Sequence, residues 1–166
     1  MDFKAKIPVD VSTQGDGKVV VSRRFNAPAA LVWRAYTEPA LVKRWLLGPP
    51  GWDMPVCEMD LRVGGSYRWR WRSQEDGSEF GFTGTFKAIE PGRRIENTER
   101  PEDAPEMSEA YNIVEFIPLG DQTELRMTMD YGTAQLRDQV LATGMTDGMA
   151  LSYDLLDTLL PELEKN

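Results

Sequence analysis

At Thr133 the hydrophobic period of this chain changes, and that change limits what it can fold into. Between Met54 and Tyr131, apolar residues recur mostly at every second position. From Leu136 on they recur at helical spacing, as Leu136, Val140, Met145, Met149, Tyr153, Leu156 and Leu160. A period of two puts successive side chains on opposite faces of a strand. A helical stripe gives a helix one apolar face. Strands joined by short turns form an antiparallel meander with one dry face. The terminal helix, with a single stripe, is the natural cover for that face. Gly144 and Gly148 fall inside the stripe, so a kink or break is expected near Gly144.

The rest of the chain fits this plan. KVVVSRRF (18–25) is β-branched and reads as a first strand. NAPAALVWRAYTEP predicts a short helix, with Asn26 as its cap and Pro28 in its first turn. Pro39 interrupts, and ALVKRWL begins a second short helix. GPPGWDMP (48–55) reads as a loop. Six strands follow, in MPVCEMDL, GGSYRWRWRS, EFGFTGTFKAIE, RIENTER, AYNIVEFIPL and TELRMTMDY. Gly64–Gly65, EDGS, PGRR and GDQ supply turns, and PEDAPEMSE (101–109) an acidic loop. The fold class is therefore α+β: a curved antiparallel sheet wrapped around a long C-terminal helix, with two short helices between the first and second strands. Residues 1–17, ending in QGDG, read as a flexible lead-in or extra edge strand, and residues 18–166 as one domain.

YRWRWR (67–72) looks at first like a nucleic-acid platform, since interleaved aromatics and arginines stack bases and neutralise phosphates. On a strand the two kinds separate. Tyr67, Trp69 and Trp71 share one face, and Arg68, Arg70 and Arg72 the other. Phe80, Phe82 and Phe86 alternate in the same way, as do Leu125, Met127, Met129 and Tyr131. The arginine row is expected to pair with acids on adjoining strands.

Charge and composition narrow the function. The net charge of −8, with no block of basic residues, argues against a phosphate backbone as partner. The chain has no histidine and one cysteine, Cys57. That removes Ser-His-Asp and Cys-His sites and leaves no plausible metal-ligand set or intrachain disulfide. No apolar run approaches the ~18–20 residues of a membrane span. MDFKAKIPVD lacks the apolar centre of a secretion signal, so a cytoplasmic location is expected.

Several segments in order resemble one family. VVVSRRFNAPAALVWRAYTEPALVKRWLLGPPGW is similar to its opening, a strand followed by F-x-A-P, V-W-x-A-x-T-x-P and W-x-G-P elements. MDLRVGGSYRW carries its acidic residue beside Gly-Gly. DGSEFGFTGTFKAIEPGRRI resembles its hairpin, with Ala88 in place of the usual acid. QLRDQVLATGMTDGMALSYDLLDTLL resembles its last helix, with Met149 where tryptophan is common. Over about residues 18–163 the chain resembles the START-like (SRPBCC, helix-grip) superfamily, and within it proteins similar to the C-terminal domain of the activator of Hsp90 ATPase. The resemblance implies a cavity between sheet and C-terminal helix. Members of the superfamily bind lipids, polyketides and other apolar molecules, some are aromatases or cyclases, and some belong to stress responses.

Carried onto this chain, the implied ligand-binding positions are Trp69 and Trp71, Phe82, Met127 and Met129 on the strands. Met145, Met149 and Tyr153 add the helix, and Trp45 and Trp52 the mouth. Tyr67 offers a hydroxyl. Each has a plainer reading as core, Trp45 and the methionines above all. Glu58 and Asp60 form an acidic pair on one strand face, Asp147 lies beside the helix stripe, and Cys57 is a free thiol. All three read more simply as solvated or inert, so no catalytic residue, cofactor or metal is assigned. The expected function is non-catalytic binding of an apolar or aromatic small molecule. The alternatives are a chaperone-associated or other protein-interaction module, and a cyclase- or hydrolase-type enzyme in the same cavity. A homodimer is compatible with all three.

Overall fold

The strands pair in the order β1-β2-β8-β7-β6-β5-β4-β3, every neighbour antiparallel. They are β1 (Asp10–Gln14), β2 (Lys18–Phe25), β3 (Trp52–Met59), β4 (Ser66–Ser73), β5 (Glu79–Glu90), β6 (Arg94–Pro101), β7 (Ala110–Leu119) and β8 (Gln122–Asp130). This computed structural model describes residues 3–165. β3 to β8 run as a meander, and β8 then returns beside β2. Two short helices, α1 (Ala29–Thr37) and α2 (Pro39–Trp45), carry the chain from β2 to the far edge strand.

The local signals hold with two corrections. Asn26 does not cap α1. Pro28 is the N-cap, in extended backbone, and its carbonyl accepts from the Leu31 and Val32 amides at 3.0 and 3.3 Å. The fixed φ of proline lets the helix start two residues later than an Asn26 cap would. The proline-rich loop also ends earlier than expected, because β3 begins at Trp52. Pro55 is accommodated by a register shift between Asp53 and Val56, on an edge strand where a missing amide is tolerated.

The C-terminal segment breaks where the glycines predict. α3 (Ala134–Leu141) is capped by the Thr133 hydroxyl, which accepts from the Leu136 amide at 3.2 Å. Gly144 takes a left-handed φ of 83°, and α4 (Met145–Glu164) starts in a new direction. The buried residues of α4 all lie from Ala150 onward: Ala150, Ser152, Tyr153, Leu156, Leu159, Leu160 and Leu163. Tyr153 and the four leucines join one core with Val19, Val21 and Phe25 of β2, Val114 and Phe116 of β7, and Leu125 of β8. One charge joins this face. Arg23 is buried, donates to the Tyr153 carbonyl at 2.7 Å and meets Asp157 at 3.2 Å. Its guanidinium also lies 4.6 Å from the Phe25 ring centre, a cation–π contact.

YRWRWR is a two-faced strand. Tyr67 is buried, while Arg68 and Arg70 reach Glu102 at 2.7 Å each and Arg72 reaches Asp53 at 2.6 Å. Such pairs contribute at most about 1 kcal/mol each where exposed. Opposite Tyr67 on β5 stands Gly84, and the Tyr67 ring occupies the space a side chain would take. A Cβ at Gly84 would collide with the Thr98 carbonyl and the Tyr67 ring. Gly84→Ala is therefore expected to lower unfolding free energy by about 1–3 kcal/mol or more, read by urea denaturation. An unchanged midpoint would mean that both the Thr98 backbone and the Tyr67 ring give way at no cost, against their placement here.

Candidate functional site

The fully buried residues of α4 all lie in its later part, from Ala150 on. Met145 and Met149, in its first turns, are only partly buried and stand over the sheet. Beneath them lies a cavity of about 1290 Å³, large enough for a drug-sized ligand. Met127, Met129 and Tyr131 form its base, with Trp69 and Trp71 from β4 and Phe82 from β5 on one wall. The N-terminal segment adds Phe3, Pro8 and Val9. That segment is held to α4 by the Lys6 and Ile7 amides, which donate to the Asp154 carboxylate at 2.6 and 3.4 Å.

Ten of the eleven positions expected to contact ligand border this cavity: Trp45, Trp52, Trp69, Trp71, Phe82, Met127, Met129, Met145, Met149 and Tyr153. Tyr67 does not. It faces a small adjoining chamber. Trp45 is not at the mouth, since it is 1% exposed, packs on Tyr36 and Tyr153, and donates to the Ala35 carbonyl at 2.9 Å. Trp52 is at the rim, edge-on to Phe80 with ring centres 5.4 Å apart. Phe80, exposed, stacks on Trp71 at 5.2 Å, and the Trp71 indole donates to the Leu46 carbonyl at 2.6 Å. These contacts hold the rim aromatics in defined orientations.

The residue that sequence reasoning missed is Glu99. On β6, Ile95, Asn97 and Glu99 point to the inner face of the sheet, because they pair with Val114, Asn112 and Ala110 neighbourhoods of β7. Ile95 is the only aliphatic residue in RIENTER, so the segment carries no alternation that tells which face is dry. Glu99 accepts from the Tyr67 hydroxyl at 3.2 Å and lines both the cavity and the small chamber. Burial pushes its carboxyl above the ordinary range, although Tyr67 and Asn112 favour the charged form. The Tyr36 and Tyr67 hydroxyls are raised too, by burial first and by the nearby Glu99 in part. Tyr67 also donates to the Thr98 carbonyl at 2.8 Å and accepts from Asn97 at 3.0 Å.

The other chemical candidates lie apart from this floor. Glu58 and Asp60 are exposed, and Asp60 pairs with Arg62 at 2.9 Å. Asp147 is exposed at the cavity edge. Cys57 sits beneath α2 with its sulfur 3.8 Å from the Pro39 carbonyl, and burial pushes its thiol up to about 11. Among the described residues no group of three or more Asp, Glu or Cys side chains is arranged to hold a metal ion.

A curved antiparallel sheet around one long helix is also what comparison with other proteins finds. The family model described as activator of Hsp90 ATPase homolog 1-like protein matches residues 26–161. The chain belongs to this family, within the START-like superfamily. A Rhodobacter sphaeroides protein of known structure is 30% identical, with 93% of this chain and 99% of that one covered and a TM-score of 0.85. A Chromobacterium violaceum protein is 25% identical over 86% of this chain and 96% of its own, at a TM-score of 0.73. A Nitrosomonas europaea protein, 24% identical over 92% and 99% of the two chains, shares the fold at 0.80. None of the curated proteins compared with the chain matches it. Among the described residues no helix is long and apolar enough to cross a membrane.

Two outcomes are expected of the titratable groups. A carboxyl with a raised folded pKa binds its proton more tightly when native, so stability falls as pH rises from the ordinary value to the folded one. Glu99→Gln keeps the shape and removes that slope. Relative to the parent protein it should gain stability as pH increases through and above the ordinary carboxyl range, read by denaturant titration at each pH. A constant difference across that range would show Glu99 titrating normally. Cys57, mostly a protonated thiol at neutral pH, should alkylate with iodoacetamide many-fold more slowly in the folded than in the urea-unfolded chain. Equal rates would contradict its placement under α2.

Proposed function

We propose that this protein binds an apolar or aromatic small molecule in the cavity between the sheet and α4, without catalysing its conversion. The observation that carries the reading is the roughly 1290 Å³ chamber walled by tryptophan, phenylalanine and methionine side chains. A folded chain that keeps so much apolar surface away from its own side chains forgoes packing energy. Occupation by an apolar ligand restores those contacts and stabilises the native state by mass action. Methionines at Met127, Met129, Met145 and Met149 give the walls adaptable side chains, suited to ligands of varied outline. The non-catalytic reading rests on the floor. Glu99 stands among tyrosines and asparagines with no cysteine or lysine beside it, so it lacks a neighbouring nucleophile.

The test is paired native and denaturing mass spectrometry on protein purified without detergent, with titration of the neutral dye Nile red. An adduct that leaves on denaturation, or saturable dye binding, is the expected result. Met149→Trp fills the chamber from the α4 side and should weaken dye binding about tenfold or more, near the cost of losing one buried side chain's contacts. Unaltered dye affinity in this variant would place the dye elsewhere and remove the support for the reading.

A further inference from the structure

The small chamber beside the cavity has a chemistry unlike the rest. Its volume is about 20 Å³, room for one water-sized group. It shares Tyr36, Trp69, Glu99 and Met127 with the large cavity, so the two adjoin. Its polar groups face inward without enough partners. Asn112 is 1% exposed, yet neither its Oδ1 nor its Nδ2 has a partner at hydrogen-bonding geometry, although the amide lies near enough to Glu99 to influence its charge. The Trp69 indole nitrogen is also buried without a partner. The Tyr67 hydroxyl accepts from Asn97 and shares its single proton between the Thr98 carbonyl and Glu99. An unpaired buried amide costs about 1–3 kcal/mol, and both residues line this one chamber, which suits it to a polar group.

The charges decide which group. Along both chambers the described lining carries Glu99 and Asp147 as acids and Lys4 as the single cation, with Lys4 on the N-terminal segment and no arginine. We infer that the chamber at Glu99, Asn112 and Trp69 is a head-group site that accepts one hydrogen-bond-donating group, a hydroxyl or ammonium, at the end of an otherwise apolar ligand and rejects a carboxylate. This rests on the cavity-binding reading given above. A hydroxyl donates to Glu99 and accepts from the Asn112 Nδ2 or the Trp69 indole, which gives Glu99 a donor and pairs one of the two orphaned N–H groups. An ammonium donates to Glu99 and to the Asn112 oxygen, and lies against the Trp69 and Tyr36 rings. A carboxylate meets another acid and no cation, and must shed its hydration for nothing.

The test uses three ligands with one aromatic body: 2-(2-naphthyl)ethylamine, 2-(2-naphthyl)ethanol and 2-naphthylacetate, titrated calorimetrically at neutral pH. The amine and the alcohol are expected to bind about tenfold or more tighter than the acid, the worth of one charge-assisted hydrogen bond. Glu99→Gln should weaken the amine by about tenfold, leave the alcohol within about threefold and bring the acid closer to both. Equal affinities in the parent protein, or a ranking unchanged in Glu99→Gln, would overturn the inference and identify the chamber as a seat for structural water. Failure of all three ligands to bind would overturn it as well. Nile red binding judges the cavity separately: if the dye binds while the ranking fails, only the head-group assignment falls. The parent ranking does not depend on the variant folding.

Discussion

The structure depends on where α4 touches the sheet. Its C-terminal part is locked by Leu156, Leu159, Leu160 and Leu163, by the Tyr153 ring against Phe25 and Trp45, and by Arg23 beneath. A left-handed glycine stands ahead of α4, and in the first turns of α4 Met145 and Met149 are only partly buried against the core. The core and the cavity are thus two ends of the same interface. At one end compact aliphatic residues exclude water. At the other, long thioethers and flat rings face one another across a gap. Arg23 illustrates how firmly the closed end is set. A buried guanidinium is tolerated only where a carbonyl, a carboxylate and a ring meet it together.

The floor follows a different logic. Apolar walls give a ligand affinity but little orientation, because dispersion and burial are nearly indifferent to direction. Direction comes from a few polar groups placed where water is scarce. In this protein they sit on three strands: Asn97 and Glu99 on β6, Asn112 on β7, and Tyr67 on β4. Tyr67 is central to the arrangement. Its ring lies over Gly84, which fixes the phenol, and its hydroxyl bridges three of the floor's polar groups. A fold contact and a site contact therefore share one side chain, and changes at Gly84 should be felt in both.

Much of the fold was legible because each element states its period. YRWRWR alternates so regularly that its two faces separate without any knowledge of its partners, and the paired acids appear where the arginine row points. The Gly144 break was readable as well, since two glycines interrupt an otherwise continuous stripe. Capping and loop edges were less so. Asn26 and Pro28 offer competing starts for α1, and only the backbone geometry chooses between them. The site was legible in its apolar half. Of the ten aromatic and methionine positions that border the cavity, those on β4, β5 and β8 lie on faces that alternation marks as inward, and Met145, Met149 and Tyr153 lie on the helical stripe. Its polar half was hidden, because RIENTER is polar at nearly every position and pairing with β7 alone turns Glu99 inward.

Sequence by itself determined the layers: an antiparallel sheet, one covering helix, an apolar inner face, and too few histidines and cysteines for the usual nucleophilic or zinc chemistry. These are consequences of periodicity and composition, which are local properties. Tertiary structure alone decided that the inner face is only partly filled, that Trp45 belongs to the buried wall and Tyr67 to the floor, and that one glutamate lies among the aromatics. Those depend on distances between elements far apart in the chain. The docking of α4 on the sheet and the register of β6 on β7 set them, and neither is written in the pattern of any single segment.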